Sequence, residues 1–148
     1  MTWWVRSVTR AGCLDIGVND VWHSERGKGT KASDYQNGLR DVIARVQNAG
    51  ATPILATPPL IGEKPNGQNR HDTQLDEFAE LSRNVATRFG VTVCDLRTTM
   101  PSYSRIFNES GAAKGVLTTD EVHFSALGNR FVANQAALSI YEALATRR

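Results

Sequence analysis

Short apolar runs suited to strands alternate with longer amphipathic segments suited to helices, and this alternation restricts the fold more than any other feature of the chain. Residues 13–18 form an apolar run closed by Gly17 and Asn19. Residues 33–49 place Tyr35, Leu39, Val42, Ile43 and Val46 on one helical stripe. Ser33 and Gln36 have the spacing of a capping box, and Gly50 suits a left-handed stop. Residues 52–57 read as the next strand, ended by Pro58 and Pro59, and 62–70 as a polar loop whose stretch 64–70 is a mobile rim. A second helix over 73–89 turns Leu75, Phe78, Val85 and Phe89 inward and stops at Gly90. A third strand is expected over 91–96, a short irregular helix over 98–110, and a last helix over 125–144 with Leu127, Phe131, Leu138 and Tyr141 inward.

Strands separated by helices predict an α/β fold, a three-layer, flavodoxin-like parallel sheet with right-handed crossovers. In such sheets functional residues gather beyond the carboxyl ends of the strands. Asn19 follows the first strand, Pro58 the second, Asp95 ends the third, and Asp120 and His123 precede the last helix. These positions converge on one edge.

A length of 148 residues suits a single domain, 1–148, with a sizeable core. A net charge of +2 argues against a strongly basic nucleic-acid surface. No apolar run approaches the roughly 20 residues of a membrane span, and no charged start leads into an apolar signal segment. The chain therefore reads as soluble, without a signal peptide, its compartment unassigned. Cys13 and Cys94 fall in expected strands, as buried free thiols. With three widely spaced histidines they form no zinc set, so neither metal nor cofactor is expected. Gly27-Lys28-Gly29-Thr30 lacks the full spacing of a phosphate loop.

The chemistry-bearing stretch is Asp120-Glu121-Val122-His123. A carboxylate three residues before a histidine, on a turn entering a helix, can orient and polarise the imidazole as a general base. That spacing is common by chance, and it gains weight from the upstream run Ile16-Gly17-Val18-Asn19-Asp20. Trp22 and His23 follow that run, either lining a pocket or as a packed aromatic beside an exposed histidine. His71 reads as a solvated helix start.

In these residues the chain resembles the SGNH (GDSL-like) hydrolase family. Gly17-Val18-Asn19-Asp20 matches the family's third block, Gly-x-Asn-Asp, and Asp120 to His123 its fifth, Asp-x-x-His. The runs 51–59 and 90–96 resemble the family's fourth and fifth strands, so the likeness covers the chain from about residue 13 onward. The resemblance implies esterase, lipase or carbohydrate deacetylase chemistry on a small ester or acylated carbohydrate, without a cofactor. It makes His123 the general base and Asp120 its orienting partner. Asn19 becomes the side-chain oxyanion donor beside Gly17, and Asp20 holds the turn.

The family opens with a strand, a Gly-Asp-Ser nucleophile block, a helix and a second strand, followed by a block-two glycine. No Gly-Asp-Ser occurs in this sequence. The chain thus reads as N-terminally truncated relative to the family, with its nucleophile block missing. Ser24 is the nearest serine after the third block and the candidate substitute nucleophile; Ser7 is a weaker one. Ser33 and Ser125 read as helix caps. Loss of the flanking strands would leave the first strand here an edge, which suits Asp15 in mid-strand. Trp3 and Trp4 would then cover the exposed face or pair with a second copy, making a homo-oligomer through that edge. The alternative is a degenerate, catalytically impaired domain serving as a binding or assembly module.

Overall fold

The computed structural model describes residues 10–24, 27–65 and 67–146. Its centre is a strand, β2 (Thr52–Ala56), buried at every position. β2 runs parallel to β1 (Ala11–Asp15) on one side and β3 (Thr92–Cys94) on the other, giving the order β1-β2-β3. Register sets Cys13 opposite Ile54, Asp15 opposite Ala56, and Ala56 opposite Cys94. A strand covered on both faces needs apolar side chains at successive positions, which Ile54, Leu55 and Ala56 supply. Leu55 packs with Tyr35, Leu39 and Ile43 of α2 (Ala32–Asn48) and with Leu75, Phe78 and Val85 of α3 (Asp72–Phe89). Ile54 and Ala56 face the opposite layer, with Leu96 and Met100 of α4 (Leu96–Phe107) and Ala143 of α5 (Ala126–Ala145). The chain is therefore an α/β protein with a three-stranded parallel sheet flanked by helices.

Several boundaries differ from expectation for local reasons. The first strand ends at Asp15, and Val18 already opens a short helix, α1 (Val18–Trp22). The Ser33–Gln36 capping box does not form. α2 starts one residue earlier, its N-cap is Lys31, and no side chain caps it. β3 stops at Cys94 because Asp95 turns the chain into α4, accepting from the Thr98 amide as N-cap. The segment expected to be irregular is a regular helix of 12 residues that accommodates Pro101. Gly90 ends α3 in the left-handed conformation at φ 63, as expected.

The last helix departs most. Leu127, Leu138 and Tyr141, expected inside, are 41%, 59% and 75% exposed. The face turned inward carries Gly128, Ser139 and Ala143, with Phe131 half-buried. This helix is apolar nearly all round, so its periodicity names no inner face. Close approach decides instead: a Cβ on Gly128 would stand 2.0 Å from the Leu117 carbonyl oxygen.

β1 pairs only with β2 among the described residues. Cys13 and Asp15 are exposed there, so one of the two thiols is not buried as expected, while Cys94 is. Trp3, Trp4 and Ser7 lie outside the described residues. The expected mobile loop is tied down where it is described. Asn69 Oδ1 accepts from the Lys64 amide, and its Nδ2 donates to the Lys64 carbonyl. The buried Asp72 accepts from the amides of Gly67 and Asn69 and is bridged by Arg97 at 2.8 Å.

Substituting Gly128→Ala should lower unfolding free energy by about 1–3 kcal/mol in urea titrations, since helix and loop must separate to admit the methyl group. An unchanged midpoint would show that this contact does not set the docking of α5.

Candidate active site

The turn after β1 fits only glycine at its pivot. Gly17 sits at φ 117, and a Cβ there would lie 2.6 Å from Pro58 Cγ and 2.9 Å from Tyr35 Oη. Tyr35 donates to the Ile16 carbonyl at 3.1 Å and shares a hydrogen bond with Ser82 at 2.9 Å, which anchors the turn to the helical layer. α1 then begins, leaving Asn19 exposed at the carboxyl end of the sheet. Asp20 accepts a hydrogen bond from the Thr30 hydroxyl, binding the following loop back onto the turn.

Asp120 and His123 form a self-contained unit. One Asp120 oxygen accepts from the amides of Val122 at 3.1 Å and His123 at 2.8 Å. The other meets His123 Nδ1 at 2.7 Å. The His123 amide, then its ring, then the Val122 amide hold the Asp120 carboxyl down at about 2. An ionised carboxylate only accepts, so Nδ1 carries the hydrogen and Nε2 is the basic nitrogen of the neutral ring. The Trp22 ring meets the His123 ring edge-on at 5.9 Å and stacks on His23 at 4.9 Å.

What positions this turn is Glu63, which the sequence analysis did not single out. It is 2% exposed. Its carboxylate accepts from the amides of Val116, Leu117 and Thr118 at 3.1, 3.0 and 2.6 Å, and from the Thr118 hydroxyl at 2.6 Å. Thr118 in turn bridges Phe124 across the base of the Asp120–His123 turn. The Ser125 amide and hydroxyl bond to the carbonyls of Leu117 and Val116. Gly62 donates to the Glu121 carbonyl from the other side. Glu121 is held at φ 82, a conformation a β-carbon disfavours. A carboxylate two residues after the run 52–61 was the one sequence signal for this role.

Asp15, Gly17, Asn19, Pro59 and His123 line one cleft of about 400 Å³. Asn19 and His123, distant in sequence, thus meet at one site, with Asp15 beside them. Ser24 is not among the cleft's lining residues; its hydroxyl donates to Gln74 at 3.2 Å. Asp95 serves the fold, capping α4 and pairing with Arg83. Among the described residues no cluster of side chains has the makings of a metal site.

The GDSL-like Lipase/Acylhydrolase family model matches residues 13–131, more than half of the chain, and the protein belongs to that family. Among solved structures, an acetyl xylan esterase, AlAXEase, is 33% identical, with a TM-score of 0.84 over 88% of this chain and 66% of its own. An alpha/beta hydrolase from the metagenome of Lake Arreo, Spain, is 23% identical, with a TM-score of 0.74 over 87% and 58%. An acetylxylan esterase from Geobacillus stearothermophilus is 19% identical, with a TM-score of 0.71 over 87% and 57%. The chain thus spans less than two thirds of each of these proteins. None of the curated protein sequences matches it. No described helix is long and apolar enough to cross a membrane.

Two outcomes follow from this geometry. Glu63→Ala strands three amides and a hydroxyl, and should cost about 3 kcal/mol of stability or more while speeding hydrogen exchange at Leu117 and Thr118. Unchanged exchange there would remove Glu63 from this role. Because the folded Asp120 carboxyl titrates below its ordinary value of 3.8, its hold on the turn is complete above that value and lost as pH falls toward about 2. A carbon-detected NMR titration should place its midpoint near 2; a midpoint at the ordinary value would mean that the turn is open in solution.

Proposed function

We propose that this chain carries the base and the oxyanion donor of an ester hydrolase that removes acetyl groups from carbohydrate. The observation that carries the reading is the single cleft shared by Asn19 and His123, with His123 held through Nδ1 by Asp120. The 33% identity to an acetyl xylan esterase supports the substrate class. In this reading residues 1–148 act as one domain.

His123 Nε2 takes the proton of the attacking hydroxyl, and Asp120 stabilises the imidazolium that forms. The Asn19 amide donates to the oxyanion as the carbonyl becomes tetrahedral, beside the Gly17 turn. His123 then returns the proton to the departing alcohol oxygen. An acyl-enzyme route needs a serine hydroxyl. No Gly-Asp-Ser occurs in the sequence, and among the described residues no serine lines the cleft. We therefore assign the nucleophile to a serine brought to the cleft from outside these walls, and place a second copy of the chain at the edge of β1 that is unpaired among the described residues. The exposed Leu138 and Tyr141 on α5 support such self-association.

The test is hydrolysis of p-nitrophenyl acetate, with fluorophosphonate labelling read by mass spectrometry. Expected are turnover that His123→Ala abolishes, one labelled serine, and about a hundredfold loss of kcat in Asn19→Ala. No turnover above the His123→Ala background and no label would leave a binding or assembly domain that keeps the base without the reaction. Light scattering should report a dimer, and a monomeric mass would refute the pairing at β1.

A further inference from the structure

A second, larger cleft of about 620 Å³ lies on the other side of the Asp120–His123 turn. Asp120, Glu121 and Val122 line the larger cleft and Val122, His123 and Phe124 the smaller, so the turn is their common wall. Trp22 lines the larger one and meets the His123 ring edge-on at 5.9 Å. His123 therefore stands at the junction of the two.

The chemistry assigns the halves of an ester to these spaces. The imidazole that accepts the nucleophile's proton gives it back to the alkoxide as the acyl C–O bond breaks. The departing alcohol must then lie against His123, while Asn19 fixes the acyl oxygen within the smaller cleft. Beyond His123, the larger cleft offers the room for that alcohol, and its volume lies within the roughly 300–1,000 Å³ of ordinary ligand sites.

Its lining specifies the alcohol. The Lys64 ammonium donates, the Glu121 carboxylate accepts, and the Gln68 amide does both. Sugar hydroxyls, each at once donor and acceptor, satisfy such a mixed wall, whereas an apolar alcohol would strip water from it uncompensated. The wall is also preorganised, because Asn69 and Asp72 fix the loop that carries Lys64 and Gln68. Glu121 keeps a side chain at a backbone position where glycine would be relaxed, and strain of this kind gathers at ligand-contacting positions.

We propose that this cleft is the leaving-group subsite, that it takes a sugar residue, and that Lys64, Gln68 and Glu121 select a polyhydroxylated alcohol over an apolar one. The proposal rests on ester hydrolysis at His123, and binding of the free alcohol tests it separately from turnover. Isothermal titration of the full chain with xylotriose, and with hexanol as an apolar alcohol, reads the subsite directly. Expected are xylotriose binding, none with hexanol, and at least tenfold weaker xylotriose binding in Lys64→Met and in Gln68→Ala. Glu121→Gly should raise the Tm by relaxing the backbone and yet weaken xylotriose binding, a split that a purely structural glutamate would not produce. Absent xylotriose binding, equal affinity in all variants, or tighter hexanol binding would overturn the proposal. Binding with the expected variant effects but without hydrolysis of p-nitrophenyl acetate would uphold the subsite and refute the ester-hydrolysis reading instead.

Discussion

The Glu63 carboxylate is the contact on which the arrangement of the site depends. Residues 52–63 are buried without a break, so the buried segment that begins as the central strand ends in a carboxylate shielded from water. A buried carboxylate is tolerable only with a full set of donors, and three successive amides and a hydroxyl of one short segment provide them. The energetic demand of one residue thus fixes residues 116–118. Through the Thr118–Phe124 bridge it also fixes the turn carrying Asp120 and His123. His123 is thereby referenced to the core of the sheet, although its own side chain is 66% exposed.

The second anchor is steric. Gly17 lets the end of β1 pass against Pro58 and Tyr35, so the turn that bears Asn19 is keyed to the end of β2. Both halves of the cleft are therefore attached to the buried segment that follows β2, one by close packing and one by hydrogen bonds. Neither anchor involves the side chain of Asn19 or His123. This separation leaves Asn19 and His123 facing the cleft while other residues carry the cost of holding them.

Much of this was legible in the chain. The apolar runs around Cys13, Ile54 and Cys94 alternate with the stripes of α2 and α3, and that pattern is enough for a parallel α/β sheet. Asp120 and His123 were legible because their interaction is local, closing within four residues through an Asx-type turn. Failures came where a long-range contact outweighed local preference. Ser33 has the spacing of a cap, yet α2 starts one residue earlier. Leu138 and Tyr141 lie on a helix apolar on all sides, whose inner face is chosen by the missing side chain of Gly128 meeting Leu117. The loop at 64–70 looked mobile because its composition is polar, but Asp72, itself held by Arg97, ties it down through the amides of Gly67 and Asn69.

By itself the sequence determined the order of strands and helices, the parallel sheet, the Asn19 turn and the Asp120–His123 pair, since each follows from periodicity or from neighbours a few residues apart. The tertiary structure alone decided that Asn19 and His123 share a cleft, that Glu63 holds the turn, and that a polar cleft opens beyond Trp22. These depend on contacts across some fifty to a hundred positions, where burial and hydrogen-bond satisfaction rather than spacing select the partner.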